Sequence, residues 1–341
     1  MKFYYISTNN LYPQNRHLID GLRENGHEVI EVEEKNQGLS KYVKIIKNFW
    51  SQRHLYDVAI VGFTSPHFVP IIRLMMFSKK VIYNGQFSQY EANVVSRGTN
   101  KKIMWWLKDF ISFLLSSKIL LESGAQIEYI HKLFFVPRKK LVRAWAGVNE
   151  KHFFIDKSVE KNKKFTVLFR GRFLPESGID TIIKTAKLLE NEEICFLIIG
   201  HGFLYKIVNT LIKKLHPKNM TVIQEFLSYN ELNEKMLSCH VSLGQLANNQ
   251  RLSRTLPCKL FESLALGLPY LTGRNAGVLE LLKENETCLI VESESPNELA
   301  KKILDLKNNP NLLEKVAKQG YKLYKEKLTS KQLAKEVINN L

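Results

Sequence analysis

The segment that indicates the fold most clearly is Pro257-Cys258-Lys259-Leu260-Phe261-Glu262-Ser263-Leu264-Ala265-Leu266-Gly267-Leu268-Pro269-Tyr270-Leu271-Thr272. Leu260 and Leu264 have the spacing of one face of a helix, and we expect that face to pack against a core. Gly267 is typical of a residue that ends a helix, and Pro269 precedes an apolar run that predicts a buried strand. A helix that leads directly into a buried strand is the repeating unit of an α/β protein.

The same alternation of short apolar strands and amphipathic helices runs along the whole chain. In the N-terminal half, strands are predicted at Lys2–Ser7, His27–Glu33, Asp57–Phe63, Lys80–Tyr83, Lys118–Glu122 and Leu141–Ala146. In the C-terminal half, they are predicted at Phe165–Phe169, Cys195–Ile199, Thr221–Ile223, His240–Leu243, Tyr270–Thr272 and Cys288–Val291. Strands that alternate with helices predict parallel sheets that are covered on both faces.

The length of 341 residues predicts two domains. Residues 148–164 are polar and charged, and we interpret them as the linker between the domains. The predicted fold class is α/β, with two Rossmann-like doubly wound domains, residues 1–150 and 151–320, that face each other across a cleft. Residues 321–341 are predicted to form a C-terminal helix that can pack back on the N-terminal domain.

The composition shows an excess of positive charge. Lys and Arg number 50 and Asp and Glu number 33, which gives a net charge of +17. Such a charge indicates an anionic partner: nucleic acid, a membrane surface or a phosphorylated substrate. The excess is spread over both halves of the chain, and we find no helix-turn-helix, no RNA-binding aromatic motif and no basic arm. We therefore expect no nucleic acid partner.

The four cysteines exclude some classes of site. Cys195, Cys239, Cys258 and Cys288 form no CxxC pair and have no histidine at metal-ligand spacing, so we expect neither a disulfide scaffold nor a structural zinc site. The N-terminus is a poor signal peptide, and no run of 18 uncharged apolar residues occurs. We expect a cytoplasmic protein, with attachment to the inner face of the cell membrane as an open alternative.

Two glycine-rich loops follow predicted strands. In Phe169–Asp180 a strand leads into a loop with two glycines and two arginines and then into a helix, an arrangement that favours binding of a diphosphate. The alternative is a turn with a solvated arginine. Gly200-His201-Gly202 follows another strand, but a lone GxG is equally well explained as a tight turn. We expect His201 to be exposed in either case.

Lys259 and Glu262 stand three residues apart on one helical face. Such a pair is usually a surface ion pair. Here, however, the pair opens a helix at the carboxyl side of a strand, where a ligand would lie. The segment Asn275–Glu280 adds a further glycine turn and helix start.

The order and spacing of these motifs resemble the nucleotide-sugar domain of glycosyltransferase family 4, whose members are retaining enzymes of GT-B fold. The resemblance extends from about Phe165 to Leu306, and the N-terminal half is similar only in its α/β alternation. It rests on Gly171-Arg172, Gly178-Ile179-Asp180, Gly200-His201-Gly202, Lys259 to Pro269 and Gly277-Val278-Leu279-Glu280.

The resemblance implies a role for each matching position. Arg172 would bind the donor diphosphate, and Glu262 would accept hydrogen bonds from the ribose as the second glutamate of a Glu-x7-Glu motif. Arg172, Lys259 and Glu262 are the implied catalytic residues. The implied donor-binding residues are Gly171, Ser177, Gly200, His201, Gly202, Arg254, Gly277, Val278 and Leu279, of which the last three would offer backbone N–H groups.

The sequence departs from the family pattern at two positions. Arg254 stands where the first glutamate of the motif is expected, which puts the recognition of the sugar in doubt. Ser177 stands where a basic residue usually precedes the glycine of the first loop. Lys259 or Arg254 could replace the missing positive charge.

The resemblance implies front-face transfer of a sugar from a UDP- or GDP-sugar, with retention of configuration and without a metal or other cofactor. In GT-B enzymes, protein cations and helix dipoles neutralise the departing diphosphate. The six aspartates of this chain form no DxD pair, the metal-binding motif typical of the other major transferase fold.

The acceptor side is less well determined by the sequence. Loops that follow the N-terminal strands should face the cleft. The candidate residues are Asn10, Tyr12, Arg16, the segment from Thr64 to His67, Gln86 and Tyr90. We interpret His67 as a cap of the following helix. The expected acceptor is a glycan or a lipid diphosphate.

One helix allows two interpretations. In Lys101–Ser116, the residues Lys101, Lys108, Ser112 and Ser116 form a narrow polar stripe, and the remainder is apolar and aromatic. The helix could lie in the interface of an anionic membrane. Alternatively, it is a core helix of the first domain.

Three functions remain open at this point. The first is a retaining glycosyltransferase, active in cell-surface polysaccharide assembly. The second is a sugar-nucleotide epimerase of GT-B fold, which needs no acceptor. The third is a non-catalytic sugar-nucleotide-binding protein, which the missing first glutamate favours.

Overall fold

The computed structural model describes residues 1–8, 12–32, 39–95 and 98–341. These residues form two compact units. The first unit comprises Met1–Asn149 together with Leu328–Leu341, and the second comprises Glu150–Lys327. Each unit contains one six-stranded sheet.

The strands and helices alternate as the sequence predicts. The strands are β1 Lys2–Ile6, β2 Glu28–Glu31, β3 Val58–Val61, β4 Lys80–Gln86, β5 Lys118–Leu121, β6 Leu141–Arg143, β7 Phe165–Arg170, β8 Ile194–Ile199, β9 Met220–Ile223, β10 Val241–Leu243, β11 Tyr270–Gly273 and β12 Leu289–Val291. The helices are α1 Pro13–Glu24, α2 Leu39–Gln52, α3 Phe68–Met75, α4 Lys102–Leu115, α5 Gly124–Phe134, α6 Ile179–Leu188, α7 Tyr205–Leu215, α8 Tyr229–Leu237, α9 Cys258–Ala265, α10 Ala276–Leu279, α11 Pro296–Lys307, α12 Pro310–Leu323 and α13 Ser330–Asn339.

Both sheets are parallel and doubly wound, which confirms the predicted fold class. The strand order is β2-β1-β3-β4-β5-β6 in the first unit and β12-β11-β10-β7-β8-β9 in the second. The order reverses between β1 and β3 in the first sheet and between β7 and β10 in the second. In open α/β sheets, ligands bind at such a switch point, beyond the carboxyl ends of the strands.

The first strand shows why each sheet needs helices on both faces. Successive residues of a strand point to opposite faces. Tyr4 packs into one core and donates a hydrogen bond to Asn48 of α2, at 2.7 Å. Tyr5 packs into the opposite core and donates to Asn15 of α1, at 2.9 Å. Because both tyrosines are buried, each face of the sheet carries its own helical layer.

The structure divides the two units after Asn149, one residue before the boundary predicted after residue 150. Of the segment 148–164, interpreted as a linker, residues 150–164 belong to the second unit. Phe153 is buried there, and the Lys161 ammonium donates to the carbonyls of Leu237 and Cys239 at 2.8 and 2.6 Å. The helix predicted over 321–341 is interrupted by a π-helical turn at Tyr324–Leu328.

The C-terminal segment belongs to the first unit through the packing of α13 against α1. Gly21 lies at this contact. A Cβ atom placed on Gly21 would lie 1.9 Å from the carbonyl oxygen of Ser330. The glycine therefore allows the two helices to approach closely.

We expect Gly21→Val to destabilise the protein by about 1–3 kcal/mol, because a backbone carbonyl cannot rotate away from the added side chain. The measurement is urea unfolding, with Lys335→Ala on the exposed side of α13 as the control. A Gly21→Val variant as stable as Lys335→Ala would show that α13 does not pack at this distance.

Candidate functional site

The most unusual cluster of charges in the second unit lies at the switch point of its sheet. β7 ends at Arg170 and is followed by Gly171, and β10 is followed by Gly244 and Gln245. The helix α9 contributes Lys259 and Glu262 to the same place, as the contacts below show. The predicted position of the ligand site, at the carboxyl side of the strands, is thus occupied by ionisable groups.

Lys259 is buried, with 6% of its surface exposed. Its Nζ lies 3.7 Å above the centre of the Phe169 ring and 3.4 Å from Oε1 of Gln245. A Cβ atom at Gly171 would lie 2.9 Å from this Nζ, so the glycine leaves room for the lysine. Burial, reinforced by the nearby Arg170 charge, lowers the pKa of Lys259 to about 7.

Glu262 is paired with Arg170, which the sequence analysis did not select. Nη1 of Arg170 donates to both carboxylate oxygens of Glu262, at 2.6 and 2.8 Å. The Glu262 side chain is 3% exposed and that of Arg170 is 30% exposed. Burial raises the pKa of Glu262, while the Arg170 and Lys259 charges act in the opposite direction. The expected Lys259–Glu262 pair is therefore corrected to an Arg170–Glu262 ion pair with Lys259 nearby.

The glycine loops after β7 and β8 touch each other through their backbones. A Cβ atom on Gly200 would lie 2.0 Å from the carbonyl oxygen of Gly171, and one on Gly202 would lie 2.7 Å from the backbone nitrogen of Phe173. The N–H of Phe173 also donates to the carbonyl of His201 at 3.1 Å. The GxG turn therefore supports the first loop, in addition to any contact with a ligand.

The predicted residues of these loops differ in their exposure. Arg172 and His201 are exposed, and the His201 ring packs on Tyr205 at 5.2 Å. Ser177 is buried, and its hydroxyl donates to the carbonyl of Leu174 at 2.6 Å. Ser177 therefore shapes the turn before α6 and supplies no positive charge in place of the expected basic residue.

A second ion pair joins the loop after β7 to the segment that contains Arg254. Nη1 of Arg251 lies 3.1 Å from Oε1 of Glu176, and both side chains are largely buried. Arg254 follows the short 3-10 helix Gln250–Ser253 and is half-buried. Arg251 and Glu176 were not selected from the sequence, because nothing in their local spacing indicates a pair 75 residues apart.

The backbone of α10 is less available than the resemblance implies. The N–H of Val278 donates to Oδ1 of Asn275 at 3.0 Å, and the N–H of Leu279 donates to the Asn275 carbonyl at 3.3 Å. Gly277 is buried against the carbonyls of Leu252 and Thr255. In this structure the backbone N–H groups of Val278 and Leu279, which the resemblance assigns to the donor, are thus bonded to Asn275, the N-cap of α10.

In the first unit, two acceptor candidates lie at the start of α1. Tyr12 is 40% exposed, and its ring packs edge-on against Phe63 at 6.0 Å. Arg16 is bound to Asp20 at 2.8 Å and to Glu31 at 3.0 Å. The guanidinium of Arg16, a predicted acceptor-side residue, is thus bound by two carboxylates. Asn10 lies outside the described residues.

The remaining acceptor candidates follow β3 and β4. His67 precedes α3, but its side chain makes no capping hydrogen bond to that fully described helix and packs instead on Tyr42 and Phe68. His67 therefore occupies the N-cap position of α3 without a side-chain capping bond. Gln86 is buried and donates to Oδ1 of Asn84 at 2.7 Å, so it is not a free surface amide. Tyr90 is half-buried, and its N–H donates to Asp109 at 2.8 Å.

Within residues 1–8, 12–32, 39–95 and 98–341, no group of three or more His, Cys, Asp or Glu side chains is placed to hold a metal ion. In the same ranges, no helix has both the length and the apolar character needed to cross a bilayer. The four cysteines are all free thiols.

We expect the stability of the protein to rise with pH above 7, through Lys259. Between pH 7 and about 10 the folded state holds this lysine neutral while the unfolded state keeps it protonated, so the unfolded state binds more protons. The free energy of unfolding should then increase by up to about 1.4 kcal/mol per pH unit relative to Lys259→Met. Urea unfolding at several pH values measures this difference.

The exposed Lys213 provides the control for this experiment. Lys213→Met should give a stability curve parallel to that of the unsubstituted protein. If the stability curve of Lys259→Met were also parallel to that of the unsubstituted protein, Lys259 would be protonated in the folded state.

The chain matches known proteins in both sequence and fold. An uncharacterized glycosyltransferase of Methanocaldococcus jannaschii, MJ1178, is 28% identical over 159 residues, which are 47% of this chain and 43% of that protein. The match therefore spans less than half the length of this relative. Anabaena HepE has a TM-score of 0.73 at 12% identity, with 99% of each chain covered.

Sucrose-phosphate synthase of Thermosynechococcus elongatus has a TM-score of 0.77 at 14% identity, with 99% of this chain and 98% of that chain covered. These likenesses confirm the GT-B fold, with two Rossmann-like domains. Residues 150–323, just over half of the chain, match the family model described as Glycosyl transferases group 1. The chain is therefore a member of the glycosyl transferases group 1 family.

Proposed function

We propose that this chain is a retaining glycosyltransferase that moves a hexosyl group from a nucleotide sugar to a glycan or lipid-linked acceptor, in the assembly of cell-surface polysaccharide. The observation that supports this most strongly is the buried cluster of Lys259, Arg170 and Glu262 at the sheet switch point. The cluster lies within the segment that matches the family. It sets the Arg170 guanidinium and the Lys259 amine against one carboxylate, which favours an anionic ligand.

The proposed reaction needs positive charge where the diphosphate departs. The bond between the anomeric carbon and the β-phosphate oxygen breaks, and its electron pair stays on the phosphate. The acceptor oxygen bonds to the same face of the anomeric carbon, and its proton passes to the departing phosphate. Lys259 and Arg172 would stabilise the phosphate charge, because fixed cations in a site of low dielectric act strongly on developing charge.

The lowered pKa of Lys259 fits a role in stabilising the charge of the phosphate. With a pKa of about 7, the side chain is partly deprotonated at neutral pH. A diphosphate beside Nζ would raise that pKa, so that the donor takes up a proton as it binds. Arg172, exposed beside Gly171, would present its guanidinium to the same diphosphate.

Glu262 retains capacity for the ribose hydroxyls although Arg170 is bound to it. An ionised carboxylate has about four acceptor positions, and the Arg170 bonds use two of them. Arg170 would then hold the Glu262 carboxylate ionised and oriented. We regard Arg170 as a positioning residue, in contrast to Arg172.

UDP is the first nucleotide to test and GDP the second. Anabaena HepE forms complexes with UDP and with UDP-glucose, and this chain shares its fold. We propose that neither a metal nor another cofactor takes part, since the cations of this chain can neutralise the diphosphate. Arg254 is the residue that we expect to set the choice of sugar.

We expect Arg172→Ala and Glu262→Ala each to lower the rate of transfer by about a hundredfold or more, because each removes a charged contact to the donor. UDP release measured with the purified chain, a donor and a mixture of lipid-linked saccharides is the assay. Arg172→Ala should leave the unfolding midpoint unchanged, since this side chain is exposed. Lys213→Ala is the matched surface control.

Three results would contradict the site assignment or the reaction. Unchanged turnover in both Arg172→Ala and Glu262→Ala would contradict the site. Conversion of the donor to an isomeric sugar nucleotide without any acceptor would identify an epimerase. Binding of UDP-sugars without either reaction would identify a binding protein.

We also expect the initial rate of transfer to be unchanged by EDTA, because the proposed charge compensation comes from Lys259 and Arg172. The measurement compares UDP release with EDTA and with added Mg²⁺ or Mn²⁺. A rate that falls with EDTA and returns with either ion would contradict the metal-independent mechanism.

A further inference from the structure

The helix α4 in the first unit buries polar residues beside the aromatic residue Phe113. Its polar residues Asp109 and Ser112 are buried, with 0% and 2% of their surface exposed. Oδ2 of Asp109 accepts hydrogen bonds from the Ser88 hydroxyl at 2.7 Å and from the Tyr90 N–H at 2.8 Å. The Ser112 hydroxyl donates to the carbonyl of Pro66 at 3.0 Å. The polar stripe of this helix, which resembles a solvent-exposed face in the sequence, is therefore partly buried.

Aliphatic side chains occupy the outward side of the same helix. Ile103, Leu107, Ile111 and Leu114 are 76%, 43%, 42% and 57% exposed. Their spacing of four, four and three residues places them along one face. Leaving four aliphatic side chains of one helix face exposed to water is costly. Burial of apolar surface contributes about 25 cal/mol per Å², and these side chains do not gain that free energy.

The apolar surface continues onto the end of α3. Leu74 and Phe77 are 81% and 84% exposed. The Nε of Arg73 donates to the carbonyl of Leu115 at 2.9 Å, which joins this end of α3 to the end of α4. We call the surface formed by Ile103, Leu107, Ile111, Leu114, Leu74 and Phe77 the α4 face.

Positive charges lie at both ends of the α4 face. Lys101 and Lys102 are exposed at the start of the helix, and Lys108 is exposed near its middle. At its other end, Nζ of Lys140 donates to the carbonyl of Leu114 at 2.7 Å, and Nζ of Lys118 donates to the carbonyl of Lys139 at 3.0 Å. A backbone carbonyl carries no net charge, so these hydrogen bonds do not neutralise the ammonium groups of Lys118 and Lys140.

The acidic residues nearby do not offset these cations. Residues 101–143 contain nine Lys or Arg and three acids. Asp109 and Glu122 are buried, and Glu128 is paired with Arg138. Residues 66–80 contain no acid at all. The surface around the α4 face is therefore strongly positive.

We propose that the α4 face docks on an anionic lipid bilayer, with α4 lying in the plane of the interface and its aliphatic residues inserted among the lipids. An interfacial helix combines an apolar face with flanking cations, and each cation near an anionic surface adds to the binding. A second copy of this chain fits the face less well, because two such faces would bring their lysines together. This surface is independent of the proposed donor site.

Sedimentation with large vesicles tests the proposal, using the full chain without donor or acceptor. The vesicles are phosphatidylcholine alone and phosphatidylcholine with about a third of phosphatidylglycerol. We expect binding to the anionic vesicles that is at least about tenfold stronger than to the neutral ones and that weakens at about 0.5 M salt. Because no transfer is measured, failure of the proposed enzymatic function would leave this result unaffected.

Two sets of variants locate the binding on the α4 face. Leu107→Ser/Ile111→Ser/Leu114→Ser should weaken binding to the anionic vesicles by about tenfold or more. The matched control, Leu188→Ser/Ile207→Ser/Phe226→Ser, removes exposed apolar residues of the second unit and should bind normally.

Lys101→Gln/Lys102→Gln/Lys108→Gln should weaken binding by about a hundredfold, at about fivefold per lysine. Its control is Lys213→Gln/Lys214→Gln/Lys218→Gln.

Three results would overturn the proposal. The first is no binding to the anionic vesicles. The second is equal binding by the unsubstituted chain and the lysine-to-glutamine variant of α4, which tests the proposal even where the serine variant fails to fold. The third is a dimer in sedimentation equilibrium that dissociates in the serine variant of α4 and not in its control, since this would assign the face to a second copy.

Discussion

The second unit depends on the burial of one carboxylate, that of Glu262, at the switch point of its sheet. A buried carboxylate without a partner is strongly destabilising, and breaking such an ion pair costs about 3–5 kcal/mol. Arg170 supplies the partner from the end of β7, and Lys259 lies nearby. A side chain at position 171 would collide with Lys259, so this position is a glycine. A side chain at position 200 would collide with the carbonyl oxygen of Gly171, so this position is also a glycine. The charge pair thus constrains the two loops around it.

The first unit places polar groups at its own switch point without a comparable excess of charge. Asn15 accepts hydrogen bonds from Tyr5 at 2.9 Å and from the Phe63 N–H at 2.7 Å. Asn84 donates to the Tyr5 hydroxyl at 3.0 Å. These bonds join the ends of β1, β3 and β4. Neutral amides and hydroxyls of this kind can recognise hydroxyl groups, whereas the cluster of Lys259, Arg170 and Glu262 is better matched to an anion.

The α4 helix connects a surface property with the interior of the first unit. Its outer side carries the aliphatic α4 face, and its inner side carries Asp109, whose pKa burial raises to about 7. Asp109 holds the loop after β4 through Ser88 and Tyr90. A change in the position of α4 would therefore reach that loop through two hydrogen bonds. The same helix thus serves the outer surface and the segment that follows a central strand.

The sequence by itself determined the twelve strands, their alternation with helices and the segment from Gly171 to Leu279 that contains the candidate site. These features follow from local spacing, because helix and strand periods and glycine turns are encoded by neighbouring residues. Only the tertiary structure decided that Arg170 binds Glu262, that Arg251 binds Glu176, and that Ser112 faces inward. Each of these depends on which groups lose their water when distant segments pack. A buried charge or hydroxyl must then find a partner across the fold, and no local pattern specifies that partner.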